Sequence, residues 1–239
     1  MTSQNPTVVL VHGAFADGSS WAKVIDLLRE RGVDAVAVSN PLRGLAHDGD
    51  YVASVAGQVD GPVVLVGHSY GGPVITHAAT KAANVKALVY VASFGVDRGQ
   101  SALSSVEGFP PVELNTSLVP QRFPDGDDTD TEFTIRRDAF ASVFAADLPA
   151  EVTATAAVSQ RPIAARALAE PLSVEPAWKA LPSWFVVATA DNAINPDSQR
   201  AAAGRLGATT VEVEASHAIA LSRPAEVAAQ VLAAVTSLS

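Results

Sequence analysis

Six short runs of aliphatic and β-branched residues recur along this 239-residue chain, at 7–11, 33–38, 62–66, 85–92, 183–189 and 209–214. Most are one strand long and apolar nearly throughout, with no polar residue at every second place. A strand that is apolar on both faces must be covered on both faces, which is the habit of parallel sheets. Segments of helical length separate the runs and supply the crossovers that parallel strands need. One such segment, 19–30, sets Trp21, Val24, Ile25 and Leu28 along a single face, and Gly32 stops it. Others follow at 51–58, after Ser69 and at 197–206, and a last one opens at Pro224 with Val227, Val231, Val235 and Leu238 in line. The expectation is an α/β fold: a doubly wound, mainly parallel six-stranded sheet with helices on both faces.

The interval 94–181 breaks this rhythm and contains no run that reads as a strand. Thr129-Asp130-Thr131-Glu132 has the form of a capping box, and Phe133, Phe140 and Phe144 follow at helical spacing. Further helices are expected over 150–159 and 161–169. The interval therefore reads as a helical cap, inserted into a core made of 1–93 and 182–239.

Composition narrows the function. Sixteen basic against twenty-five acidic side chains give a formal charge of −9, with no basic cluster for a phosphate backbone, so no nucleic-acid partner is expected. Cysteine is absent, which removes disulfides, thiolate nucleophiles and thiolate metal sites. The run Met1–Pro6 is short and polar, unlike a secretory leader, and no apolar run reaches spanning length. A cytoplasmic protein without a membrane partner is the expectation; the oligomeric state stays open, a homodimer included. The acidic run 124–130 invites a calcium reading, but Asp130 stands where the loop needs glycine and Arg136 where it needs the closing glutamate. No Gly-x-Gly-x-x-Gly follows a strand, so neither a metal nor a cofactor is expected.

Chemistry concentrates at Gly67-His68-Ser69-Tyr70-Gly71, directly after the third apolar run and before a helix. A serine in a sharp strand-to-helix turn presents its hydroxyl above the sheet edge. It becomes a nucleophile only when a base takes its proton, and the base needs a carboxylate to hold its tautomer. Of the five histidines, His12 and His68 flank turn glycines and read as structural, His77 lies two turns into the following helix, and His47 sits in a polar loop. His217 follows the last strand, at the carboxyl edge where open α/β sheets hold their ligands, and is the expected base. Asp191 follows the fifth strand and is the preferred acid, with Asp97 after the fourth as its rival. The N–H groups of Tyr70 and Ala14 are the expected oxyanion donors. Phe109, Phe123 and Phe140, with Phe15, Tyr70, Ile194 and Ile219, are expected to line an apolar substrate pocket.

Taken together, His12-Gly13-Ala14, Gly67-His68-Ser69-Tyr70-Gly71-Gly72 and the order Ser, Asp, His resemble the α/β-hydrolase superfamily. The stretches Val11–Trp21, Ala190–Ile194, Ala215–Ala218 and Leu221–Pro224 are similar to small esterases related to plant methyl-salicylate esterases and hydroxynitrile lyases. The likeness covers nearly the whole chain except parts of the cap. It implies Ser69 as nucleophile, His217 as base, Asp191 as acid, Ala14 and Tyr70 as oxyanion donors, and a small carboxylic ester or lactone as substrate. The lyases carry a lysine after the catalytic histidine and a threonine after the first-loop histidine; here these places hold Ala218 and Gly13, which argues against cyanohydrin cleavage. A cofactor-free lyase, an oxygenase or a perhydrolase on the same fold remains the alternative, as does a non-catalytic small-ligand receptor. The intact Ser69, Asp191 and His217 set favours the hydrolase.

Overall fold

The computed structural model describes residues 5–238, so Met1–Gln4 of the polar N-terminal run lie outside the described residues. In chain order the first half comprises β1 (Thr7–Val11), α1 (Ala22–Glu30), β2 (Ala35–Val38), α2 (Leu45–Gly57), β3 (Val63–His68), α3 (Gly71–Ala78) and β4 (Val85–Val91). The insertion then runs through α4 (Leu114–Ser117), β5 (Leu118–Asp125), β6 (Asp128–Ile135), α5 (Phe140–Phe144), α6 (Ala150–Val158), β7 (Ile163–Ala164) and α7 (Ala165–Ala169). The chain returns to the sheet with β8 (Ser183–Ala188), α8 (Pro196–Arg205), β9 (Thr209–Val213), α9 (Ile219–Ser222) and α10 (Pro224–Thr236).

Six strands form one sheet in the order β2-β1-β3-β4-β8-β9, every pair parallel. Successive side chains of a strand point to opposite faces, and here each face has its own core. Val9, Val11, Leu65, Leu88, Tyr90, Phe185 and Val187 pack on one side with residues of α2, α3, α8 and the insertion. Val8, Leu10, Val64, Val66, Val89 and Val186 pack on the other with Trp21, Val24 and Leu28 and with Val227 and Val231 of α10. Burying a Val, Leu or Phe side chain stabilises by roughly 1.5–3 kcal/mol, which makes this double burial the main source of the sheet's rigidity. Register aligns Val11 with Gly67, and Gly67 with Tyr90, so β1, β3 and β4 end at one level. That shared edge is where the loops of interest leave the sheet.

Two elements depart from the sequence reading. Helix α2 starts at Leu45, six residues before the expected 51, directly after an extended Gly44. Its polar opening, His47 to Asp50, resembles a loop, but Leu45, Asp48, Gly49, Val52 and Ala56 are buried along one side. The larger correction concerns the insertion, which is not wholly helical. Residues 118–135 form an antiparallel hairpin, and β7 adds a third strand. The presumed capping box at 129–132 lies inside β6. Gly126, at φ 62°, supplies the left-handed turn residue that a two-residue hairpin loop demands. The period-two set Thr129, Thr131, Phe133 and Ile135 outweighs the local capping signal. Phe133 therefore belongs to a strand, while Phe140 and Phe144 share α5.

Candidate active site

Strand β3 runs directly into Ser69, whose φ of 54° is left-handed although it is not glycine. Such a residue is strained and persists only where its surroundings hold it. The surroundings do: Ser69 N–H donates to Val91 O at 3.1 Å, and Gly72 N–H donates to Ser69 O at 3.0 Å. The turn is tight enough that a Cβ at Gly67 would lie 2.5 Å from Gly71 O. The side chain of Ser69 lies against the loop after β1, where a Cβ at Gly13 would fall 3.2 Å from Ser69 Oγ.

His217 stands after β9 and is almost wholly buried. Its Nδ1 lies 2.7 Å from Asp191 Oδ2. Asp191 is buried too and accepts three further hydrogen bonds: Ala193 N–H at 2.7 Å and Ile194 N–H at 2.9 Å on Oδ1, and Gln199 Nε2 at 2.8 Å on Oδ2. With Asp191 Oδ2 as the acceptor, the ring's Nδ1 carries the donated hydrogen, which leaves Nε2 free to accept. The rival Asp97 is elsewhere. It is a third exposed and pairs with Lys179 Nζ at 3.0 Å. Burial works against its charge, but Lys179 and the N–H of Arg98 outweigh it and hold the carboxyl below its ordinary range.

The remaining histidines are structural. His12 Nδ1–H donates to Gly13 O at 2.8 Å and its Nε2 accepts from Asn40 N–H at 3.1 Å. Burial lowers its pKa, partly opposed by the Gly13 bond. His68 Nε2–H donates to His217 O at 2.9 Å, so this ring braces the backbone of its neighbour. Burial, with His217 nearby as a second cause, holds His68 well below its ordinary value of 6.5 and keeps it neutral. His77 bonds Asp50 at 2.8 Å. His47, a loop residue without a partner on the sequence reading, sits in α2 with Nδ1 3.1 Å from Asp48.

Two backbone N–H groups at this edge have no acceptor among the described residues. Among the described residues neither Ala14 N–H nor Tyr70 N–H donates to a protein acceptor, whereas the neighbouring Phe15 N–H donates to Arg161 O at 3.0 Å. Tyr70 is fully buried, its hydroxyl donates to Asp48 Oδ2 at 2.9 Å, and its ring lines none of the cavities described below.

The expected pocket residues divide among several places. Phe15 and Phe140 line a cavity of about 560 Å³ together with Phe144, Leu148, Ala156 and Ala218. Phe109 and Ile194 line a second, of about 310 Å³, with Phe94 and Leu168. Phe123 belongs to neither: it stands on the hairpin beneath the Arg43 guanidinium, 4.5 Å from its ring centre, in a separate polar cleft. Ile219 is fully buried in the α1–α10 core, because it opens α9 on the far face of the sheet, and it lines none of these cavities. Phe144, absent from the expected pocket set, lies 5.0 Å edge-on to the His217 ring and 6.4 Å from Phe15.

Other contributors had no visible signal. Gln199 reads as a surface helix residue, yet it is fully buried and also bonds Ala188 N–H and Ile194 O. Asp147, past α5, accepts from the N–H and hydroxyl of Ser216, and Phe144 O accepts Ala218 N–H at 2.8 Å. The insertion thus grips both neighbours of His217. Burial alone would raise Asp147, but the Ser216 hydroxyl and N–H among its donors hold it low. Among the described residues no group of three or more His, Cys, Asp or Glu is arranged to hold a metal, and no helix is long and apolar enough to cross a membrane.

The chain resembles several known proteins. It is 28% identical over 124 residues to a carbendazim-hydrolysing esterase of Nocardioides sp. (strain SG-4G), a match covering 46% of this chain and 51% of that one. The chain thus spans about half the length of that relative. Among solved structures, polyneuridine aldehyde esterase superposes with a TM-score of 0.81 at 22% identity, over 96% of this chain and 99% of that one. A methylesterase from Arabidopsis gives 0.78 at 19% identity, over 97% and 99%. At such identities the two structures speak to the fold. The sequence profile of the alpha/beta hydrolase family matches residues 8–230, and the chain belongs to that family.

Proposed function

We propose that this protein is a serine hydrolase that cleaves a small carboxylic ester or lactone through an acyl-enzyme intermediate. One observation carries the reading: Ser69 in its left-handed turn shares an edge with a His217–Asp191 pair 2.7 Å apart and with two unoccupied backbone N–H groups. In this reading His217 Nε2 takes the Ser69 proton as Oγ attacks the carbonyl carbon, and Ala14 and Tyr70 N–H stabilise the resulting oxyanion. His217 then returns the proton to the leaving alcohol. Water repeats the cycle and releases the acid. Asp191 fixes the ring and balances its transient charge. The apolar cavity beside Phe15, Phe144 and Ala218 suits a modest apolar substituent. The activity named for the Nocardioides relative agrees in class.

A fluorophosphonate probe followed by peptide mapping tests this directly. It is expected to mark Ser69 alone, and a panel of short-chain esters and lactones is expected to turn over in the wild type but not in Ser69→Ala. Label on another serine, or undiminished turnover by Ser69→Ala, would end the reading.

A further inference from the structure

The peptide unit joining Ser69 to Tyr70 carries a hydrogen-bonding group at each end. Its N–H, on Tyr70, is the proposed oxyanion donor. Its carbonyl, on Ser69, accepts from Gly72 N–H at 3.0 Å and, at the shorter distance of 2.6 Å, from the hydroxyl of Ser93. A peptide is planar, with C=O and N–H antiparallel, so whatever fixes the carbonyl fixes the direction of the N–H. The Ser93 hydroxyl is fully buried and meets only carbonyl oxygens: Ser69 O, and Phe94 O at the longer distance of 3.2 Å. It must therefore donate, and the shorter contact is to Ser69.

The fold makes unusual provision for this contact. Ala92, just before Ser93, adopts a φ of 42°, and so joins Phe15 and Ser69 as a left-handed non-glycine residue at this edge. Opposite it stands Gly72, where a Cβ would fall 1.8 Å from Ser93 Oγ. Any larger residue there would expel the hydroxyl. The other side of the same peptide is also tethered, because the Tyr70 side chain is anchored through its hydroxyl to the buried Asp48. Burial, reinforced by Asp48, pushes that hydroxyl's pKa well above the ordinary range, so it remains a donor.

We propose that Ser93 is a positioning residue for ester cleavage: its hydroxyl orients and polarises the Ser69–Tyr70 peptide, and so strengthens Tyr70 N–H as an oxyanion donor. The inference rests on the hydrolase reading given above. Its physical basis is that a hydrogen bond accepted by an amide carbonyl strengthens the donor at the other end of the same amide, the more so in a dry, low-dielectric setting. The contribution arises mainly in the transition state, where the negative charge is greatest, so it should appear in kcat more than in KM.

Ser93→Ala removes the hydroxyl with little change of shape. Its kcat on a short-chain ester is expected to fall about three- to tenfold, the effect of one hydrogen bond, with KM within about twofold of wild type. The inhibition constant of a trifluoromethyl ketone, which forms a tetrahedral oxyanion on Ser69, should rise by the same factor. The pH profile should keep its midpoint, since His217 and Asp191 are untouched. If Ser93→Ala proves too unstable to assay, Ser93→Cys, which keeps a weaker donor, is read in its place and should fall between. Wild-type kcat and inhibition constant in the variant read would overturn the proposal. So would a loss of kcat that leaves ketone binding unchanged. Ser69→Ala assayed alongside separates the two ideas: ester turnover surviving there removes the hydrolase reading itself, whatever Ser93 does.

Discussion

The β3–Ser69–α3 segment and the β5–β6 hairpin stand at opposite extremes of how this chain holds a shape. Every residue of β3 and α3 is buried, and the segment is clamped by backbone bonds and by apolar layers on both sides of the sheet. The hairpin is largely exposed along β5. Charges help to fasten it, Arg43 to Glu132 at 2.8 Å and Arg166 of α7 to Asp125 and, at 3.5 Å, to Asp130, while Ile135 at its base is buried in the core. Burial is indifferent to salt and fixes atoms closely, whereas exposed ion pairs contribute little and are screened. A strained left-handed serine needs the first kind of support.

The strongest way to break this contrast lies in the buried region. Asp191→Asn should fold normally, since Oδ1 continues to accept from Ala193 and Ile194, yet lower kcat by roughly 10³–10⁴ by allowing the wrong His217 tautomer. The same loss in Asp97→Asn, with Asp191→Asn active, would move the acid to the loop after β4 and dissolve the argument from burial.

Acid should act on the buried region next. The unfolded chain takes up a proton on His68 below about 6.5, but the folded chain resists because burial lowers that pKa. Stability is therefore present above 6.5 and is lost as pH falls below it, by up to about 1.4 kcal/mol per pH unit for each such proton. His12, lowered mainly by burial, adds in the same range, whereas the depressed Asp147 acts in the same sense only near and below its unfolded value of 3.8. Thermal unfolding followed from about pH 8 to pH 5 checks this; a His68→Gln variant, whose amide can still donate to His217 O, should show a shallower decline. A flat Tm in both would refute the assignment.

The smallest effect is expected at the hairpin. Arg166→Ala removes its ties to Asp125 and Asp130, and should move Tm by no more than ~2 °C. Its consequence should be kinetic, with KM for a bulky ester altered more than kcat and the difference fading in high salt. A large loss of Tm would show that the hairpin is as integral as β3, and that the two regions do not differ in kind.

Much of the buried region was legible beforehand because its signals are local. Strand–Gly-x-Ser-x-Gly–helix, the apolar runs and the stripe on α10 each depend on neighbours within a turn or two. The hairpin was missed for the same reason: Thr129–Glu132 satisfies a local helix-start pattern, and only pairing with β5 makes it a strand.

By itself, the sequence determined the two-faced parallel sheet and the position of Ser69 in it, because side-chain period and turn chemistry act over short distances. It also set the loops that carry Asp191 and His217, since strand ends dictate which loops share an edge. Tertiary structure alone decided which distant polar groups meet there: Gln199 on Asp191, Asp147 on Ser216, and Ser93 on the Ser69 carbonyl. It also sent Ile219 to the far core and Phe144 to the His217 ring. These partners lie between 8 and 73 residues apart, from Gln199 and Asp191 to Phe144 and His217. No short-range rule reaches so far; their meeting depends on how the loops close over the sheet and on the cost of leaving a buried polar group without a partner.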